Sequence, residues 1–224
     1  QALSANIRGD DLALVMSDDS IMLIKLSSGA VVLDHKVGDA FAIDSRVASP
    51  LFINQLIAYP ALDGLVSIAE NVGGRSARDF VVSNQPFFNN IIALENKGDN
   101  LYAVTATRLM LVSPAGNKNH NVDIKDVIFS GDRIYLLLKD GRVELLDRGL
   151  NLIKSRKFTF AQFSGALLSG GYLYIIERNG YVIRVDENLE GQAIYELNGE
   201  FDDKSFIAGS SFYYDDKILN FDAR

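Results

Sequence analysis

A short phrase that keeps returning constrains this chain more than any other feature: a glycine, two variable residues, an apolar residue and a tyrosine. It stands complete from Gly98 to Tyr102, Gly131 to Tyr135, Gly170 to Tyr174 and Gly209 to Tyr213. Two weaker copies precede these. Gly9-Asp10-Asp11-Leu12-Ala13 keeps the glycine and the apolar residue, and Ile53-Asn54-Gln55-Leu56-Ile57 keeps only the latter. The starts at 9, 53, 98, 131, 170 and 209 are 44, 45, 33, 39 and 39 residues apart. Periods of this size, built from strand-length segments, belong to radial or stacked β repeats.

The fullest copy runs from Gly131 to Asp147. An apolar run from Ile134 to Leu138 meets Asp140-Gly141, and an alternating run follows through Val143 and Leu145. Asp-Gly between two such runs marks a tight hairpin, because the turn needs positive φ and glycine adopts it freely. The next copy repeats the pattern with Asn179-Gly180 at the turn. Tyr135 to Asp147 and Tyr174 to Asp186 are both separations of twelve positions.

Each unit divides into four strands. In the fourth they are Val127 to Ser130, Arg133 to Leu138, Arg142 to Leu146 and Leu152 to Thr159. No segment sustains the 3.6-residue period of a helical solenoid. Four-stranded units of roughly forty residues are blades of a β-propeller, which protects its sheet edges by closing into a ring. The expected architecture is therefore all-β: one propeller domain over residues 1–224, with about six blades starting near 1, 48, 89, 126, 164 and 203.

The first unit has strands at Asp11 to Met16, Ile21 to Leu26 and Val31 to Val37. The second turns at Asp63-Gly64 and carries Gly73-Gly74 between its later strands. The third carries Thr105-Ala106-Thr107 at its hairpin and a polar segment, Asn117 to Asn121, read as a solvated loop. The sixth shows three strands, Lys204 to Ala208, Ser211 to Tyr214 and Ile218 to Asp222, so the last blade is incomplete within this chain. Either that blade has three strands, or a leader supplies the fourth, or the units belong to a larger ring. Ala2 to Arg8 is the one candidate for a closing strand, and it is also required as the innermost strand of the first unit.

Composition narrows the function. A net charge of -7 and a pI near 4.9 oppose a phosphate-backbone partner, which depends on clustered Lys and Arg. With no cysteine there is no disulfide, thiol nucleophile or Cys-bound metal. No apolar run reaches the eighteen or more residues of a membrane span. The first residue is Gln1 rather than Met, which leads to the expectation of a processed chain whose leader carries targeting information, a lipid anchor included.

The segment Leu26-Ser27-Ser28-Gly29-Ala30-Val31-Val32-Leu33, followed by His35-Lys36-Val37-Gly38, resembles the repeat of the quinoprotein-like (PQQ-like repeat) propellers, where a strand ends in a Thr-Gly or Ser-Gly turn. Ala48-Ser49-Pro50-Leu51 with Gln55-Leu56-Ile57-Ala58 looks like the start of the next such unit. A non-catalytic branch of that family includes the propeller lipoprotein of the bacterial outer-membrane β-barrel assembly machine. The resemblance implies a non-enzymatic protein-interaction scaffold of the bacterial envelope, periplasmic and tethered to the outer membrane, with an envelope protein as partner and a part in outer-membrane protein assembly. Two departures matter. The family's signature Trp is absent, and so are the vicinal cysteines of its quinone-using members, so no cofactor is implied.

No catalytic, cofactor-binding or metal-binding residue is assigned. His35 and His120 lie in different units, without a group to orient them. The acid pairs Asp10-Asp11, Asp18-Asp19, Asp202-Asp203 and Asp215-Asp216 lack the alternate spacing of a calcium loop and read as turn residues. Gly73-Gly74-Arg75-Ser76-Ala77-Arg78 lacks the lysine of a phosphate loop, and its arginines read as solvated charge. What recurs is an aromatic residue in the connections between units: Phe41, Phe87 and Phe88, Phe160 and Phe163, and Phe201. These connections are expected on the same face as the hairpin turns at Asp18-Asp19, Asp63-Gly64, Asp140-Gly141, Asn179-Gly180 and Asp215-Asp216. There the phenylalanines either pack between blades in place of the missing Trp or form a partner-binding patch, with Phe87-Phe88 the leading pair. The competing class is an enzyme or small-ligand binder using the central channel, whose expected lining, such as Ile91-Ile92-Ala93 and Ala166-Leu167-Leu168, is mostly apolar.

Overall fold

Left-handed turn positions set the strand order. Gly9, Gly98, Gly131, Gly170 and Gly209 all have φ between 51° and 61°. Nothing lies within 4 Å of where a Cβ would stand on any of them, so conformation alone requires glycine. In the second copy the left-handed residue is Asn54, φ 51°, between the paired Ile53 and Leu56. Asparagine tolerates this conformation better than most residues. The copy therefore reads one residue later than its apolar pattern suggests, and Ala58 rather than Ile57 stands in the tyrosine position.

A computed structural model of the chain describes residues 1–39, 46–85, 89–197, 201 and 205–222, with backbone alone for Ser76 and Ala77. Among these residues the chain forms five four-stranded sheets and one three-stranded sheet, each an antiparallel meander in chain order. No described helix is long and apolar enough to cross a membrane.

The chain divides into two compact units, residues 1–122 and 123–224. The first unit holds three sheets: β1 (Ala2–Arg8), β2 (Asp11–Met16), β3 (Ser20–Lys25) and β4 (Val31–Lys36); β5 (Leu51–Ile53), β6 (Leu56–Pro60), β7 (Leu65–Glu70) and β8 (Ser76–Val81); and β9 (Ala93–Lys97), β10 (Asn100–Thr105), β11 (Arg108–Val112) and β12 (Lys118–Asn121). The second unit holds β13 (Ile124–Ser130), β14 (Arg133–Leu138), β15 (Arg142–Asp147) and β16 (Leu152–Lys157); β17 (Phe163–Ser169), β18 (Tyr172–Glu177), β19 (Tyr181–Asp186) and β20 (Ala193–Glu196); and β21 (Phe206–Ala208), β22 (Ser211–Tyr214) and β23 (Lys217–Asn220). Ala2–Arg8 pairs with β2 and belongs to the first sheet. The segment read as a solvated loop near Asn117 is instead β12, with His120 paired to Leu109. An outermost strand can be polar throughout, because its neighbour already covers the core.

Neighbouring sheets of a unit pack face to face, so their middle strands bury both faces and read as continuous apolar runs. In the first unit Ala13, Val15, Ile21 and Leu23 meet Ile57, Tyr59 and Ala69, while Ala58 and Val66 meet Leu101, Ala103 and Met110. In the second, Tyr135, Leu137, Val143 and Leu145 meet Leu173, Ile175, Ile183 and Val185. Ile176 and Val182 meet Phe212. Successive residues of β18 thus serve opposite neighbours, as the two-residue strand period dictates. Each fully buried Leu or Ile contributes roughly 1.5–3 kcal/mol.

The Asp that closes the third strand of a sheet has a local role. Asp147 Oδ1 accepts hydrogen bonds from the amides of Gly149 and Asn151, both 2.8 Å. Asp186 Oδ1 accepts from Asn188 and Glu190, at 2.8 and 2.7 Å. Both turns place a leucine at positive φ, Leu150 at 60° and Leu189 at 61°. The twelve-residue spacing from Tyr to Asp is therefore the length of one hairpin, ending on the residue whose side chain closes the next turn.

Candidate functional site

The connections between sheets share an end with the turns that join their middle strands. Val37 N donates to Asp19 O at 3.0 Å, Val82 N to Gly64 O at 2.9 Å, Phe158 N to Gly141 O at 2.9 Å and Arg178 N to Gln162 O at 2.9 Å. Phe201 N closes the series by donating to Arg178 O at 2.9 Å. The approach at Gly141 is close. A Cβ there would stand 2.8 Å from Ala161 O and 2.9 Å from Phe158 O, and φ is +84°.

The phenylalanines of these connections divide. Phe41, Phe87 and Phe88 lie outside the described residues. Phe163 is buried beside Phe158, ring centroids 6.2 Å apart and edge to face, within the core between the fourth and fifth sheets. Phe201 is buried against Phe212 and Tyr214, at 4.9 and 5.0 Å. Both fill space between sheets and are removed from the surface set: the backbone at these points turns their side chains toward the interior.

Phe160 behaves differently. It is 94% exposed and its φ is +66°. It sits in the four-residue turn that Ala161 N closes by donating to Phe158 O at 3.2 Å. A left-handed backbone costs a non-glycine residue about 1–2 kcal/mol, and an exposed phenyl ring recovers no burial energy in return. Strain combined with exposure is the pattern expected where a side chain is held out for contact.

Beside this turn lies a groove of about 310 Å³, lined by Thr159, Phe160 and Ala161 of the connection, Glu177 at the end of β18, Asn179 of the turn after it, and Tyr181, Ile183 and Ile194 of β19 and β20. Tyr181 and Ile194 are themselves exposed. Phe160, Tyr181 and Ile194 therefore form an apolar margin around it. Glu177, buried at its base, is committed to local structure: it accepts from the amides of Gln162 at 3.0 Å and Asn179 at 2.8 Å, and from Asn179 Nδ2 at 2.8 Å. The groove offers apolar contact and leaves this carboxylate little freedom to act on a substrate.

Asp202-Asp203 lies outside the described residues and Asp215-Asp216 forms the turn between β22 and β23, whereas the pairs of the first sheet have side-chain roles. Asp10 accepts from the Ser27 hydroxyl and amide, and these bonds hold its carboxyl below the ordinary range. Asp18 is lowered in the same way by the Ser20 hydroxyl and amide. Asp19, next to it, is fully buried and shifts oppositely, pushed up to about 6 by burial, with Asp63 adding to the rise and the Leu62 amide opposing it. Leu62 N donates to Asp19 Oδ1 at 2.7 Å, while Oδ2 has no partner among the described residues. So Asp19 ties the first sheet to the second. His35 and His120 lie on β4 and β12, in different sheets. Among the described residues no group of three or more His, Cys, Asp or Glu could hold a metal ion. Arg75 pairs with Glu70 at 3.5 Å, with both side chains solvated.

From the sequence, the leucines and tyrosines of the repeated hairpin are expected to hold the ring together, and the tyrosines do make contacts between sheets. Tyr135 is buried, and its Oη donates to Glu187 O of the next sheet at 2.8 Å. The ring of Tyr174 lies 4.6 Å from Phe221, beyond the last described strand. Its recurrence at one fixed place in the phrase was the available signal.

No family model matches this sequence. Two curated relatives from Helicobacter pylori, both named plasminogen-binding protein PgbB, are similar to it over 189 residues: the one from strain J99 / ATCC 700824 at 34% identity and the one from strain ATCC 700392 / 26695 at 33%. In each case the match covers 84% of this chain and 35% of the relative, so the chain spans about a third of the relatives' length. Among solved structures, BamB from Moraxella catarrhalis superposes with a TM-score of 0.76 at 15% identity, covering 94% of this chain and 68% of BamB. The computationally designed Ika8 protein gives 0.69 at 11% identity, covering 95% of this chain and 67% of Ika8. The propeller domain of Myceliophteria thermophila Cps50 (Swd1) gives 0.57 at 13%, covering 91% of this chain and 72% of that domain. Together with the repeated four-stranded meanders, these likenesses make the chain a β-propeller whose last blade is incomplete.

Proposed function

We propose that this chain is a protein-binding propeller of the bacterial envelope that takes its partner at the Phe160 turn and the groove beside it. The observation that carries this reading is Phe160 itself, 94% exposed on a left-handed backbone. Aromatic residues next to apolar pockets commonly dominate protein interfaces, and losing one costs about 2 kcal/mol or more. Relatives named for binding plasminogen support a protein as partner and make plasminogen the first probe. The likeness to BamB and the repeat resemblance support a periplasmic location with tethering to the outer membrane. A part in outer-membrane protein assembly is the finer form of the same reading.

The test is binding of immobilised plasminogen by the chain and by Phe160→Gly. Glycine adopts the left-handed turn without strain, so the variant should keep or raise its thermal transition while losing affinity about tenfold or more. Unchanged affinity in the variant moves the site elsewhere, and unfolding of the variant makes Phe160 a packing residue. If the unmodified chain does not bind, plasminogen is not its partner.

A further inference from the structure

In each sheet of the second unit the repeated tyrosine stands at one register, in a cross-strand row on the face away from the preceding sheet, and the row of the sixth sheet is open. In the fourth sheet, Ile128, Tyr135 and Leu145 form a cross-strand row. It packs on Leu173 and Ile175 of the fifth sheet, leaving Tyr135 and Leu145 each 1% exposed. The tyrosine hydroxyl reaches the carbonyl of Glu187 in the turn between β19 and β20. In the sixth sheet the same register gives the row Phe206, Tyr213, Ile218. Its opposite face, with Ile207, Phe212 and Leu219, covers the fifth sheet. The row itself faces outward. Phe206 is 57% and Ile218 64% exposed, and the Phe206 and Tyr213 rings stack at 4.7 Å and 6°.

We infer that the Phe206–Tyr213–Ile218 face receives one further blade of the same repeat. Its apolar and aromatic composition matches the row that a following blade buries in the fourth sheet. The match takes in 35% of the relatives and 68% of BamB, so each of those proteins has residues outside it. The docking blade presents two aliphatic side chains in the places of Leu173 and Ile175, and a turn carbonyl in the place of Glu187 O. In repeat architectures stability accrues through such nearest-neighbour interfaces. The competing occupant is a second copy of the chain, since the first sheet presents Leu12, Leu14, Met22 and Ile24 half-buried on the face opposite its core.

The test extends the full chain at its C-terminus with a flexible linker and a second copy of residues 163–197, the fifth repeat. Hydrogen exchange of the β22 amides should slow by about tenfold or more relative to the unextended chain. Ile218→Lys should abolish that gain, and Tyr213→Ser should reduce it, while neither shifts the thermal transition of the unextended chain. Unchanged exchange on extension overturns the inference, as does an appended repeat that stays unprotected. Self-association of the unextended chain in sedimentation velocity, dissolved by Ile218→Lys, also overturns it and assigns the face to a second copy.

Discussion

Asp19→Asn should stabilise the first unit, by an amount that depends on pH in a defined direction. The Asp19 carboxyl is fully buried and pushed up to about 6 from an ordinary 3.8, chiefly by burial. A folded-state pKa above the unfolded one means the folded chain holds the proton more tightly. Its contribution is therefore most favourable below about pH 4, is lost as pH rises through about 6, and stays flat above. The difference between 3.8 and about 6 corresponds to about 3 kcal/mol between the protonated and ionised forms.

Asparagine tolerates the 63° φ at this position. It also retains an oxygen for the Leu62 amide that now donates at 2.7 Å, and it carries no charge to bury. Urea unfolding followed by far-ultraviolet circular dichroism, run from about pH 4 to about pH 8, should show the two proteins nearly equal in acid. The variant should be up to about 3 kcal/mol more stable at the alkaline end. A difference that does not change with pH, or one that grows toward acid, refutes the argument that ionised Asp19 is held at a cost.

Three further substitutions, at two positions, test the packing account. Gly141→Ala adds a Cβ within 2.9 Å of two carbonyl oxygens on a backbone of φ +84°, and thermal unfolding should show a loss of about 2 kcal/mol or more. Tyr135→Phe removes only the 2.8 Å bond to Glu187 O and should cost about 1 kcal/mol, whereas Tyr135→Ala should cost about 3–5 kcal/mol by opening a cavity between two blades.

Much of the fold was legible because turns and strand periods are local. Gly-x-x followed by an apolar residue and tyrosine fixes a left-handed turn and the strand after it, and Asp140-Gly141 fixes the next turn. The second copy slipped by one residue because Asn54 does glycine's work without glycine's signature. The segment Asn117 to Asn121 looked like a loop because an outermost strand needs no apolar residues, so composition hides its pairing with β11.

The candidate site was less legible, for a different reason. Phe160 and Phe163 stand in one connection and look alike in sequence, yet one is presented to solvent and the other closes a core. What separates them is the φ of a single residue and the direction of the chain after it. Neither has a compositional signal. The tyrosines were visible as a repeat, but the docking of Tyr135 onto the following blade depends on which face of the sheet it occupies.

The most direct measurement is a hydrogen-exchange footprint of the unmodified chain with and without plasminogen. The account predicts slowed exchange in residues 158–162 and in the adjoining parts of β19 and β20, around Tyr181 and Ile194. Protection confined to other surfaces, such as the solvated turn at Arg75, with the Phe160 turn exchanging as fast as in the free chain, would contradict it.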